Sequence, residues 1–516
     1  MREHQSDNRR IVKNTGLLYF RMFLMMAIGL YTSRVVLQTL GVSDYGVYNV
    51  VGGFITMLAY IKTGFVSACQ RYLTFALGRK DEAQLKSVFA SSMTVFYIFA
   101  AITLIVSETF GIWYLNNHLV IELDRLAAAH WVFQCSLLSM LIEMISIPYN
   151  STIIAHEKMN VYAYVSILDA VLRLLAVWTL LFVDVDKLIL YAVLMVVCSV
   201  TIRFIYVIYC KKHFAECHYK QEWNKTFLKK MFTFQGWSFL GTMGFTLKDQ
   251  ILNLILNSFG GTVLNAARGI AVQVAAVTQQ FSSNFMMAVT PQITKRYAAG
   301  DIEESRRLVY ESSKFSFYLM SLVAIPLLLN LSYILQLWLG IVPDLTVELT
   351  TISLVGILIG TLSSPSSMAI QATGNIRNFQ VGISLIFLLE IPLAYYLLRQ
   401  GYQPHIALLP SILTQIIGVF YRFFILSRQV EGYSNRYYLL HIVILPIGVV
   451  GLSYYVCFMA SKMFIDNILN LLLSSILYVS LSALIIYLIG VSQEERRTIK
   501  TYVSTLVNKY KSTCNQ

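Results

Sequence analysis

Long apolar segments separated by short polar clusters dominate this sequence. Cutting the chain at those clusters gives fourteen segments that are each long enough to cross a bilayer as a helix, which needs about 20 mainly apolar residues. Their approximate bounds are 13–40, 45–77, 87–115, 123–155, 161–183, 188–210, 231–258, 263–294, 312–339, 345–373, 379–398, 404–427, 439–460 and 468–490. The pattern predicts an all-α integral membrane protein with about fourteen spans. The divisions near Asp44, Asp184 and Gly260 rest on very short turns.

The distribution of basic residues predicts the orientation. Alternate loops contain 26 lysines and arginines in one set, against only Lys187, Arg399 and Lys462 in the other. Cytoplasmic loops carry the positive excess, so both termini are expected in the cytoplasm. The formal charge of +13 therefore marks topology, and no nucleic-acid partner is needed.

Composition agrees with this assignment. The chain is 57% hydrophobic and only 13% charged, whereas soluble domains carry about 25% charged residues. No predicted loop is large enough for a catalytic domain, so we expect no enzyme activity. Seven scattered cysteines form no CxxC pair. The Cys210, His213, Cys217 and His218 group is better explained by chance than as a zinc site, and no metal or cofactor is expected.

A weak internal repeat suggests two lobes. Residues 77–89, after the second segment, resemble residues 299–310, after the eighth. An even number of spans separates them, which predicts a parallel repeat. The predicted organisation is an N-terminal six-helix lobe, a basic cytoplasmic linker, a C-terminal six-helix lobe, two extra helices and a cytoplasmic amphipathic tail, at 1–210, 211–230, 231–427, 428–490 and 491–516 respectively.

Charged residues within the apolar segments are candidates for function, because each costs about 2.5–3.5 kcal/mol at the centre of a membrane helix. Lys62, Arg173 and Lys248 lie nearest to span centres. Arg173 has a helical partner in Asp169, and Lys248 adjoins Asp249 in a poorer geometry for pairing. The predicted anion-binding residues are Arg34, Lys62, Arg173, Lys248, Arg268 and, closer to the interface, Arg21. Converging in one hydrated cavity, they would bind a phosphate or diphosphate.

Other intramembrane charges have two explanations. Asp169, Asp249, Glu143 and Glu390 are candidates for coupling transport to protons or sodium, and equally for structural partners of the basic residues. The remaining basic side chains lie near span ends, where snorkelling to the interface is the default expectation. These are Arg71, Arg125, Arg203, Lys314 and Arg422.

The first eighty residues also carry family motifs. Asn14-Thr15, Leu18-Tyr19-x-Arg21, Tyr31-Thr32-Ser33-Arg34, Leu40-Gly41-Val42-Ser43-Asp44-Tyr45-Gly46-Val47-Tyr48, Val51-Gly52-Gly53 and Arg71-Tyr72 resemble those of the polysaccharide flippases. These O-antigen and capsule exporters belong to the multidrug/oligosaccharidyl-lipid/polysaccharide exporter superfamily. Only Arg34 is transferred by motif position as a cavity residue.

The resemblance implies a multi-pass protein of the bacterial inner membrane that works by alternating access. It would move an undecaprenyl-diphosphate-linked oligosaccharide, the repeat unit of O-antigen or capsule, to the outer leaflet as a monomer among membrane lipids. The alternative is a cation-coupled multidrug exporter of the same superfamily. That class is expected to show acidic residues dominating the N-terminal lobe.

Overall fold

The computed structural model describes residues 2–117, 123–183, 185–218, 225–462, 464, 467–493 and 495–497. These residues form helices and contain no strand, as predicted. For some helical positions, including Arg34 and Lys62, only the backbone is described, so the roles predicted for these two side chains lie outside the described residues. Most of the predicted amphipathic tail, from residue 498 onward, also lies outside them.

Contacts divide the chain into two units. One comprises residues 14–239 with 297–299, and the other comprises residues 1–13, 240–296 and 300–516. The first five helices are α1 Arg2–Arg79, α2 Glu82–Asn117, α3 Leu126–Ala155, α4 Met159–Thr179 and α5 Lys187–His213. The next five are α6 Lys225–Ala298, α7 Ile302–Leu329, α8 Leu331–Leu339, α9 Thr346–Thr361 and α10 Ser364–Thr373. The last four are α11 Arg377–Arg399, α12 Pro404–Gln429, α13 Asn435–Ser461 and α14 Ile468–Gly490.

Nine helices among the described residues are long and apolar enough to cross a membrane, or ten if the bent pair α9 and α10 counts as one span. The chain is thus a multi-pass membrane protein. The predicted count of fourteen requires two crossings each from α1 and α6. At 78 and 74 residues, these helices would extend well over 100 Å if straight, far beyond a hydrocarbon core of about 30 Å.

The first half of α1 runs parallel to α4. The guanidinium of Arg21 lies 4.6 Å from the ring centre of Tyr162, near the start of α4. Val36 packs in one cluster with Val177 and Leu180, at the end of α4. Both segments therefore cross the unit in the same direction.

The second half of α1 runs antiparallel to α2. Val51 shares a hydrophobic cluster with Leu115, at the end of α2, while the rings of Phe65 and Phe96 lie 6.1 Å apart midway along it. Since α2 and α4 run in the same direction, with α3 returning between them, α1 must reverse between Val36 and Val51. The predicted division near Asp44 falls in that interval.

A similar reversal occurs in α6. Asp249 and Arg268 would lie about 28 Å apart on a straight helix at 1.5 Å per residue, yet their side chains approach to 3.5 Å. The chain must therefore turn back between them, the interval that contains Gly260 and Gly261. The predicted division near Gly260 falls in that interval.

The tenth apolar segment, 345–373, is broken in the structure. Helix α9 ends at Thr361, α10 begins at Ser364, and the two are bent by 47°. Pro365 occupies the first turn of α10, where its missing N–H is least costly. The serine-rich sequence 363–367 thus marks a true interruption of the helix.

Candidate functional site

Two intramembrane clusters contain most of the described candidate residues. In the unit that contains residues 240–296, the Lys248 ammonium lies 3.2 Å from Asp249 and 3.1 Å from Glu390, and Arg268 lies 3.5 Å from Asp249. We call these four residues the C cluster. Lys248, Arg268 and Glu390 are all less than 10% exposed. The reversal of α6 brings Arg268 to Lys248 and Asp249, and α11 adds Glu390 from the opposite side.

Aromatic rings surround the Lys248 ammonium, which lies 4.7 Å from the ring centre of Phe245 and 5.9 Å from that of Phe387. Such rings attract a cation while excluding water. Charge interactions in this environment are stronger than in water. The four ionised groups of the C cluster nevertheless sum to zero formal charge, so an arriving anion must replace a carboxylate.

The pairing of Lys248 with Asp249 differs from the sequence expectation. Neighbouring residues point about 100° apart on a helix, which predicted a poor pair. The long lysine stem spans that angle, and the same ammonium reaches Glu390 as well. Sequence spacing could not anticipate Glu390, because its approach depends on the packing of α11 against α6.

The other unit contains a cavity of about 290 Å³ between α3, α4 and α5, which we call the N cavity. Within it Arg173 donates to Asp169 at 2.9 Å and lies 3.6 Å from Glu143. The Asp169 pair was predicted from the four-residue spacing, whereas the Glu143 contact depends on the packing of α3 against α4. One arginine here serves two carboxylates. The N cavity is lined by Val66, Glu143, Ser146, Ile147, Asn150, Asp169, Arg173, Ser199, Ile202, Arg203 and Tyr206.

Several lining residues were absent from the predicted site, although the sequence contains a signal for them. Polar residues recur at helical spacing in each of three apolar helices. Glu143, Ser146 and Asn150 share one face of α3, Asp169 and Arg173 share one face of α4, and Ser199, Arg203 and Tyr206 share one face of α5. Such stripes mark the faces that avoid lipid.

Three of the side chains expected to snorkel have specific polar partners, and a fourth lines the N cavity. Arg203 lines the N cavity. Arg125 binds Asp44 through two guanidinium nitrogens and Asp186 through the third. Lys314 pairs with Glu495 at 2.6 Å, and Arg422 donates to Ser363 at 2.9 Å, beside the break before α10. Position near a span end was therefore a poor guide to the direction of these side chains.

The described charges sum to zero formal charge within each of the two groups. The C cluster balances two cations with two carboxylates. The N cavity balances Arg173 and Arg203 with Glu143 and Asp169. Among the described residues, no group of three His, Cys, Asp or Glu side chains is arranged to hold a metal ion.

Comparison with solved structures shows the fold. A MATE structure in complex with MaD3S superposes with a TM-score of 0.69 at 15% identity, covering 81% of this chain and 96% of that one. A MATE structure in the bent conformation gives a TM-score of 0.70 at 14% identity, covering 82% of this chain and 96% of that one. At this identity the likeness extends to the fold alone. No protein-family model and no curated protein matches the chain.

A third similar structure is a transporter of the MOP superfamily from Pyrococcus furiosus, with a TM-score of 0.66 at 12% identity, covering 80% of this chain and 96% of that one. It is described as having a binding pocket of reverse polarity that suggests a different function. Another is an outward-facing multidrug resistance MATE transporter of the same superfamily, with a TM-score of 0.68 at 12% identity, covering 81% and 96% of the two chains. The motifs of the first eighty residues resemble proteins of that superfamily.

Proposed function

We propose that this chain is a flippase that moves a lipid-diphosphate-linked oligosaccharide across the bacterial inner membrane. The observation that carries the proposal is the C cluster, where Lys248 and Arg268 share Asp249 inside a membrane-spanning unit. Ionisable residues at such depth are retained for function by default. A diphosphate that displaced Asp249 would gain two charge-assisted contacts at once.

The resemblance of the first eighty residues and the MATE-type fold support this proposal. Alternating access would expose the binding residues to each leaflet in turn, while the lipid tail stays in the bilayer. The proposed substrate residues are Arg21, Arg34, Lys62 and Arg173 in one unit and Lys248 and Arg268 in the other. A carboxylate released by the diphosphate becomes free to bind a proton or sodium ion. Asp249 and Glu390, and in the other unit Asp169 and Glu143, are the proposed coupling residues.

Liposomes containing the purified protein and a polyprenyl-diphosphate oligosaccharide test the proposal. We expect the wild-type protein to expose the inner-leaflet glycan to an external lectin, and empty liposomes to expose only the outer-leaflet fraction. Lys248→Gln should slow the transfer at least tenfold. Arg399→Gln, the same charge change at an exposed site, should behave as wild type. Glycan that stays inaccessible with wild-type protein would contradict the proposal.

A cation-coupled drug exporter is the second candidate, favoured by one observation. Arg173 faces two carboxylates. The N cavity therefore lacks the net positive charge that would favour a diphosphate. The same liposomes loaded with a cationic dye distinguish the candidates. Dye export driven by an imposed proton or sodium gradient, without transfer of glycolipid, would favour the drug exporter.

A further inference from the structure

Three polar atoms in the wall of the N cavity have no hydrogen-bond partner among the described residues. They are Asn150 Oδ1, Ser199 Oγ and the Nη1 nitrogen of Arg203, and each is buried. Ser199 as a whole is only 5% exposed. Buried polar groups nearly always have partners, and each one without a partner costs about 1–3 kcal/mol. These three atoms belong to two helices, α3 and α5, and mark the polar part of the cavity lining.

The charge of the cavity restricts the class of ligand. Its four ionised side chains, Glu143, Asp169, Arg173 and Arg203, sum to zero, so the cavity does not select a polyanion. Arg173 is already bound to both carboxylates. Arg203 has no carboxylate within 4 Å in the described part of the chain. It can therefore donate to a neutral oxygen without losing an existing ion pair.

The hydrogen-bonding groups are mixed in kind. Arg203 can only donate, Asn150 Oδ1 can only accept, and the Ser199 hydroxyl can do both. Tyr206 adds a phenol on the same face of α5, and Glu143 adds an acceptor. The adjacent hydroxyl groups of a sugar, each of which can donate and accept, match these donors and acceptors. A phosphate, which offers mainly acceptor oxygens, leaves the Asn150 oxygen unmatched.

The size of the cavity restricts the ligand further. A volume of about 290 Å³ lies at the lower end of the range for small-molecule pockets and equals the liquid volume of roughly ten water molecules. A volume of this size can hold one pyranose ring. The Glu143 side chain is 46% exposed, so a ring in the cavity can stay linked to a longer chain outside.

We propose that the N cavity binds one neutral sugar residue through Asn150, Ser199, Arg203 and Tyr206. As a subsite for the transported glycan it rests on the proposed flippase function. The claim that the cavity binds a sugar at all depends only on its lining residues, charge and volume. Its role is to select the sugar, while the diphosphate is bound elsewhere.

Saturation-transfer NMR on the full-length protein in lipid nanodiscs tests the site, with glucose, galactose, mannose and N-acetylglucosamine as separate probes. At least one sugar should bind wild type, and Arg203→Gln and Asn150→Ala should each weaken that binding about tenfold. Ser199→Leu, which fills the cavity without changing charge, should abolish the signal even if the other variants fold poorly. Arg399→Gln should bind as wild type.

Three results would overturn the sugar site. The first is absence of saturation transfer from all four sugars to the wild-type protein, which would mean that the cavity holds only water. The second is sugar binding that survives Ser199→Leu. Displacement of the sugar by sodium diphosphate that depends on Arg203 would show instead that the cavity is an anion site.

The outcomes separate this inference from the proposed function. Sugar binding without glycolipid transfer in liposomes would keep the site and reject the flippase. Glycolipid transfer by a protein that binds no free sugar, with Ser199→Leu transferring at the wild-type rate, would keep the flippase and reject the site.

Discussion

The Lys248 ammonium lies 3.1 Å from a carboxylate oxygen of Glu390, joining α6 to α11 inside one membrane-spanning unit. Both residues are less than 10% exposed. Removing one partner of a buried ion pair typically costs about 3–5 kcal/mol, because the remaining charge is left uncompensated. The four members of the C cluster should therefore respond unequally to mutation.

Lys248→Met should destabilise the protein more than Glu390→Gln. The methionine variant leaves Asp249 with only Arg268, at 3.5 Å, and Glu390 without its ammonium partner. The glutamine variant leaves Lys248 paired with Asp249 at 3.2 Å. The double variant should recover part of the lost stability, because neither residue of the α6–α11 pair then carries an uncompensated charge. Thermal unfolding in detergent of the four proteins measures this cycle, and strictly additive effects would show that the pair is not coupled.

Arg125→Gln should loosen the unit of residues 14–239 near Asp44. The guanidinium joins the turn at Asp44 to the start of α5 at Asp186, so its loss frees two connections at once. We expect a cost of roughly 1.5–3 kcal/mol for bonds between charged groups. Hydrogen exchange near residues 40–47 should accelerate. Arg125→Lys should not restore protection, because an ammonium cannot reproduce the planar fork. Unchanged exchange in both variants would contradict this role.

Glu216→Gln should reduce the acid sensitivity of the same unit. Burial raises the pKa of Glu216, but the 2.6 Å hydrogen bond with His156, a backbone N–H and nearby positive charges outweigh it. The pKa therefore lies below its ordinary 4.5. A lowered pKa stabilises the folded state fully above 4.5 and loses that contribution as the pH falls below it. Melting temperatures between pH 3 and pH 7 should show a steeper acid decline for wild type than for the glutamine variant. Parallel pH profiles would refute the contribution of Glu216.

Gly382→Ala should destabilise the pairing of α11 with α12. A Cβ at this position would lie 1.9 Å from the Tyr421 hydroxyl oxygen and 2.2 Å from the ring carbon that carries it. The same hydroxyl donates to the Asn378 carbonyl at 2.6 Å, so the ring cannot move without losing that bond. Overpacking of this kind costs about 1–3 kcal/mol.

Gly448→Ala is the matched control for that substitution. Gly448 lies within α13, and an added Cβ would meet no atom within 4 Å. Replacing a helical glycine by alanine at an open site stabilises by about 0.4–1 kcal/mol. Melting temperatures of the two variants should therefore move in opposite directions. A shift of the same sign in both would show that crowding at Tyr421 is not the cause.

The sequence by itself determined the class of fold and many of the segment boundaries. Lipid requires long apolar helices whose backbone groups are satisfied internally, and this requirement is visible in hydropathy alone. The break at residues 363–367 and the pair Arg173 with Asp169 were also predictable, because both depend on local backbone chemistry and on helical spacing.

Only the tertiary structure decided which charges meet. Glu390 reaches Lys248, Glu143 reaches Arg173, and Arg125 bridges Asp44 and Asp186 because separate helices pack side by side. The hydropathy of a single helix indicates how far a charged residue lies from the ends of that helix. It does not identify the side chains that neighbouring helices bring into contact with it. For that reason it could not show that Glu143 lies beside Arg173 and Glu390 beside Lys248.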